Sequence, residues 1–154
     1  MYEIKNVREL IKFIIPLFKE SVQDSNEFDF IFSDADSVRF FMCGGCVELA
    51  KVVKHYFPDS KYAMRKDHAH MCTYYEGKLF DAMDYYEDWQ LEKYNIKNDN
   101  KELTDFDLLE DEDIDKLPVE YGSINYINGE EISNFIIHEL DKIESIVIKK
   151  KGLK

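Results

Sequence analysis

The sequence predicts an α+β fold, and three features carry that prediction. Apolar residues recur at helical spacing over 7–22, 46–57 and 130–147. Strand-like runs lie between them: Lys61 to Arg65, a run opening at His68, and KLFDAMDYY after the hairpin signal Glu76-Gly77. At 154 residues, 45% hydrophobic and 14% aromatic, the chain can bury a core as one domain, 1–154.

The first helix begins after Asn6, a good cap, and sets Val7, Leu10, Ile11, Ile14, Ile15 and Phe18 on one stripe. Pro16 falls inside it and is expected to kink or divide it. Phe28, Phe30 and Phe32 alternate like a strand, although so short a run also suits a helical turn. Ser33 or Asp34 then caps a short helix carrying Val38, Phe40 and Phe41.

Cys43-Gly44-Gly45-Cys46 leads into a helix of about 46–57, with Leu49, Ala50, Val53 and Phe57 inward and Pro58 ending it. About 12 helical residues carry the chain roughly 18 Å out. The strand from Lys61 returns it at ~3.3 Å per residue, so His68 and His70 come back to the level of Cys46. The strand period puts His68, His70, Cys72 and Tyr74 on one face. A two-residue hairpin loop places Asp81 opposite Cys72 and diagonal to His70.

Beyond Asp84 the sequence turns acidic and irregular. From Asp81 to Glu120 there are 15 acids and 4 bases, nearly all the excess behind the formal charge of -12. Loops, short helices and a lid over the site are expected across 87–120, and the acidity favours a basic substrate. Ser123 to Asn128 reads as a short strand, and Gly129 opens a last helix, on which His138 is an ordinary surface residue.

The negative charge argues against nucleic acid and anionic membranes as partners. Three cysteines cannot all pair within one chain. The start lacks a signal-peptide shape, and no stretch approaches the ~20 apolar residues that span a bilayer. The expected compartment is the cytoplasm.

Cysteine at a helix start, histidine on a strand and acid one hairpin later make a nucleophile, a base and an orienting group. The catalytic candidates are Cys46, His70 and Asp81. Gly44, Gly45 and His68, with the first-turn N–H groups, are candidates for binding the substrate or its oxyanion, and His68 is also an alternative to His70. Cys43 is a second, weaker nucleophile candidate. A different class of function is open: Cys43, Cys46, His68 and His70 are four possible zinc ligands for a non-catalytic binding module. A Cys-x-x-Cys redox pair is a third reading, although no strand of the usual kind precedes it.

GGCVELAKVVKHYFPDS followed by DHAHMCTYYEGKLFDA resembles the papain-like cysteine peptidase superfamily, nearest its compact transglutaminase-like branch. Small bacterial and phage proteins with Gly-Gly-Cys helix starts and a His, Gly-Lys, Asp hairpin are similar too. The resemblance spans about a quarter of the chain. It implies a papain-like core in which a Cys-bearing helix packs on a small antiparallel sheet, flanked by N- and C-terminal helices. It also implies thiol-dependent hydrolysis or acyl transfer at an amide, isopeptide or ester of a peptide, protein or small molecule, without a cofactor. On it, Cys46 matches the nucleophile, His70 the base and Asp81 the orienting acid. The papain pattern also has a glutamine just upstream of the cysteine, and none lies within Val38 to Met42.

Overall fold

Asn6 starts the first helix as the sequence predicts. Its side chain accepts from the Glu9 N–H, and helix α1 runs from Val7 to Ser21. Pro16 does not divide it. The computed structural model describes residues 2–97, 101–117 and 126–148.

Asn26–Phe28 is a 3₁₀ turn rather than a strand. Phe28 is buried there, whereas Phe30 and Phe32 are exposed. Ser33 caps helix α2 (Asp34–Cys43) with a reciprocal capping box through Asp36. Helix α3 (Cys46–Tyr56) follows after two glycines. The buried stripes of α1, α2 and α3 meet around Phe18, Phe41, Val53 and Phe57. Phe18 packs against Phe28, Phe40 and Phe41 within about 5.5 Å between ring centres.

The main sheet is antiparallel with four strands: β2 (Lys61–Arg65), β3 (Met71–Tyr75), β4 (Lys78–Phe80) and β5 (Phe106–Leu109). Their spatial order is β4-β3-β2-β5. Glu76 and Gly77 both have positive φ, 48° and 80°, the conformation a two-residue hairpin loop needs. The loop pairs Thr73 with Phe80, so the predicted Cys72–Asp81 register holds in its direction. Val47 and Ala50 of α3 pack on Tyr62, Met64 and Met71 of the sheet. Helices on one face of a sheet make this an α+β fold.

Other elements depart from what the sequence predicts. The strand predicted to carry the histidines opens at Met71, so neither His68 nor His70 lies within it. Residues 66–69 form the connecting turn, in which His68 has φ 61° and is exposed. Within the acidic segment, α4 (Asp88–Lys93) and α5 (Asp111–Ile114) are the expected short helices, but β5 joins the sheet edge beside β2. Asn128-Gly129 does not open a helix. It turns a small hairpin between β6 (Tyr126–Ile127) and β7 (Glu130–Glu131), with φ 51° and 79°. Most of the strand predicted at 123–128 lies outside the described residues.

Helix α6 (Ile132–Asp141) is shorter than predicted. The β-branched run Ile146–Ile148 becomes β8, parallel to β1 (Tyr2–Ile4). His138 is exposed and pairs with Glu130. Glu48 of α3 is buried beneath α6 and accepts the Ser133 N–H at 3.0 Å, so it caps that helix. Among the described residues no helix is long and apolar enough to cross a membrane.

Candidate active site

The turn before β3 fixes His70. Asp67 accepts from the Ala69 N–H and from Arg65 Nε, and the Arg65 N–H donates to the His70 carbonyl at 2.8 Å. That last bond seats His70 at the head of β3 with its ring inward, 5% exposed. On the partner strand the chain leaves β4 after Phe80, and Asp81 caps a 3₁₀ turn, Ala82–Tyr85. Arg8 of α1 clamps this turn by donating to the Asp84 and Tyr86 carbonyls.

Asp81 uses both carboxylate oxygens. Oδ2 accepts from His70 Nε2 at 3.0 Å and lies 3.8 Å from Cys72 Sγ. Oδ1 accepts from the Met83 N–H at 2.9 Å and from Lys101 Nζ at 3.2 Å. Lys101 also reaches Asp84 at 3.3 Å, and its side chain is only 14% exposed. One buried carboxylate thus receives donors at all of its roughly four lone-pair positions.

Burial by itself raises the Asp81 pKa, but the His70 hydrogen bond and the Lys101 charge outweigh it and hold the carboxyl below its usual range. Burial likewise opposes a charge on His70. Asp81 first, then the Cys46 and Cys72 thiols, reverse this and raise the imidazole well above its usual value. The buried Cys72 thiol is raised, chiefly by desolvation.

Because Nε2 donates to Asp81, Nδ1 is the free nitrogen of the ring. It is buried without a formed hydrogen bond. The Cys46 and Cys72 thiols lie close enough to act on His70, yet neither meets strict bonding geometry at Nδ1. Cys46 opens α3 and is partly exposed, whereas Cys72 is fully buried and Cys43 is exposed at the end of α2.

Of the residues singled out by sequence, Cys46, His70 and Asp81 come together. The four-residue zinc set does not assemble: His68 is exposed in its turn, and the compact group is instead His70, Cys72 and Asp81, with ligand atoms within 4.8 Å of one another. The Lys101 ammonium on Asp81 already supplies the positive charge a cation would bring there.

The glycines act differently from expectation. Both Gly44 and Gly45 donate their N–H to the Phe40 carbonyl at 2.9 Å, so neither is available to an oxyanion. Gly45 is held close to the Phe40 ring rather than to a ligand site. No side chain caps α3, which leaves the first-turn N–H groups from Cys46 onward as the local donors.

A cleft of about 440 Å³ opens over His70, Asp81 and Met83. Val38, Arg39 and Met42 of α2 form one side, and Ile96, Lys97, Lys101 and Phe106 close the other. The acidic segment therefore does supply a wall over the site. Cys46 is not on the cleft lining; it shares a smaller cavity with Phe41, Met71, Thr73 and Asp81. Sequence reasoning missed Lys101 and Cys72 as members of the group. The hairpin register puts Cys72 opposite Asp81 and so could have found it, but no local signal marks Lys101.

Fold and site together define an α+β protein with a buried histidine–aspartate pair set against a cysteine at a helix start. Residues 20–136 match the Phage YunG-like protein family, and the chain belongs to that family. No curated protein and no solved structure matches it.

Proposed function

We propose that this chain is a thiol-dependent hydrolase or acyltransferase with a papain-like, transglutaminase-like core, acting on an amide, isopeptide or ester. The observation that carries this reading is the 3.0 Å bond from His70 Nε2 to Asp81, which leaves Nδ1 as the ring's unbonded nitrogen, with the helix-start cysteine near the imidazole.

Nδ1 takes the proton of Cys46 Sγ, and the raised imidazole pKa favours the imidazolium–thiolate pair. The thiolate forms a bond to the carbonyl carbon while the C=O π pair moves onto oxygen. First-turn N–H groups of α3 stabilise that oxyanion, helped by the positive end of the helix dipole. Collapse breaks the bond to the leaving nitrogen or oxygen, which takes the proton from Nδ1. Water or an acceptor amine then attacks the thioester, giving its proton to Nδ1, and free Cys46 leaves. Cys46 is preferred to Cys72 as nucleophile because it is partly exposed.

The test is site-resolved alkylation by iodoacetamide across pH, on the native chain and on His70→Ala. Cys46 is expected to be alkylated faster than Cys43 at neutral pH, and to slow in His70→Ala. A Cys46 no faster than Cys43, and indifferent to His70, rejects the reading. Selective labelling of Cys72 would reassign the nucleophile.

A further inference from the structure

The cleft beside His70 has the opposite charge to the protein. The chain carries -12 overall, but among the described residues the cleft is lined by Arg39, Arg65, Lys97 and Lys101, with Asp81 and Asp105 as the acids. Asp81 and Lys101 engage each other, with His70 and Asp84 as their further partners, so the pair offers little unpaired charge to a ligand. Arg39 has a partner at Asp36, 3.3 Å away, but that acid stands outside the lining. Arg39 is largely exposed and such surface pairs are weak, so an incoming anion competes for its guanidinium group. Lys97 belongs to the most acidic stretch of the sequence, yet it is exposed and brings positive charge to the cavity lining. Most of the rest of the lining, including Val38, Met42 and Ile96, is apolar.

We infer that the cleft takes an anionic group, so that the substrate is an amide or ester bearing a carboxylate or phosphate, not the basic substrate that the acidic segment suggests. This rests on the reading of Cys46, His70 and Asp81 as the reacting groups. Asp81 borders both the cleft and the smaller cavity that holds Cys46, so a substrate reacting at Cys46 reaches the cleft past this carboxylate. A surrounding field of negative sign repels such a molecule until it enters, so the focused positive potential acts as a selectivity device as well as an attraction. The cavity volume suits a small acid or one acidic residue of a peptide.

The experiment is an NMR titration of the full chain with succinate, with neutral succinamide, and with the capped peptides acetyl-Gly-Glu-Gly-amide and acetyl-Gly-Gln-Gly-amide. At low salt each anion is expected to bind about tenfold more tightly than its neutral counterpart, with the gap closing as the Debye length shrinks. Arg39→Glu with Lys97→Glu, both exposed positions, is expected to abolish the difference. The salt series needs no variant and stands if the double variant fails to fold. Tighter binding of the acidic peptide than of succinate assigns a peptide source, and the reverse order a small acid. Anions that bind no better than their neutral counterparts overturn the inference. Anion binding is measured independently of Cys46 alkylation, so the two readings fail separately.

Discussion

His70 and Lys101 hold the same carboxylate from opposite sides, and they arrive by different routes. His70 is delivered by a hairpin whose register is fixed by two residues, Glu76 and Gly77. Its separation from Asp81 is only 11 positions, all within one local unit. Lys101 comes from the irregular acidic stretch, 20 positions beyond Asp81. That stretch is held against the site by β5 on the sheet edge and by the Lys66 N–H donating to the Asp105 carbonyl. A site can therefore have one half set by local turn chemistry and the other by tertiary closure. The two halves differ in what it takes to disturb them.

The largest disturbance removes what both halves share. Asp81→Asn leaves a buried imidazole and a largely buried ammonium without their common charge, and is expected to cost about 3–5 kcal/mol in urea unfolding. The pH dependence identifies the origin of that loss. The Asp81 pKa is lowered by folding, so its contribution is present above about pH 3.9 and is lost as pH falls through the lower folded value. The His70 pKa is raised, so its contribution is complete below about pH 6.5 and is lost as pH rises through the raised folded value. The stability gap between wild type and Asp81→Asn is therefore expected to be widest between those two limits. A gap that is flat across pH would show that the carboxylate acts by shape alone.

Lys101→Met separates the two halves. It keeps the aliphatic stem against the wall and removes only the charge. Asp81 retains His70 and the Met83 N–H, so the expected loss is smaller, about 1–3 kcal/mol. The acidic segment is expected to lose hydrogen-exchange protection before the β3–β4 hairpin does. Equal loss of protection in both regions would break the comparison, because it would make the hairpin as dependent on closure as the wall.

The same division explains what could be read in the sequence. The helix caps at Asn6 and Ser33, the stripe of α1 and the register linking His70 to Asp81 all depend on residues near one another in the chain. The strand Phe106–Leu109 has no turn signal of its own, and its acidic neighbours hide it; pairing with β2 makes it a strand. Ile146–Ile148 continues the apolar spacing of the last helix, but β1 offers it a parallel partner. Asn128-Gly129 carries a legible hairpin signal that the helical pattern after it masks. Nothing in the pattern around Lys101 marks a lysine that will be largely buried, because its burial is decided by Asp81 and Asp84.

Gly44 and Gly45 give the finest form of this contrast, since the sequence treats them alike. Neither has the positive φ that demands glycine: their φ values are -153° and -103°. What separates them is a contact. A Cβ on Gly45 would stand 2.5 Å from Phe40 Cε2, whereas one on Gly44 meets nothing within 4 Å. Phe40 is wedged among Phe18, Phe28 and Phe41 and has little room to yield. Gly45→Ala is therefore expected to cost about 1–3 kcal/mol through overpacking and to disturb the start of α3, where Cys46 sits. Gly44→Ala is expected to stay within about 0.5 kcal/mol. Paired urea midpoints check this. Equal losses at the two positions would mean that the turn itself demands glycine, and that the Phe40 ring is not what sets the approach of α2 to the helix bearing the candidate nucleophile.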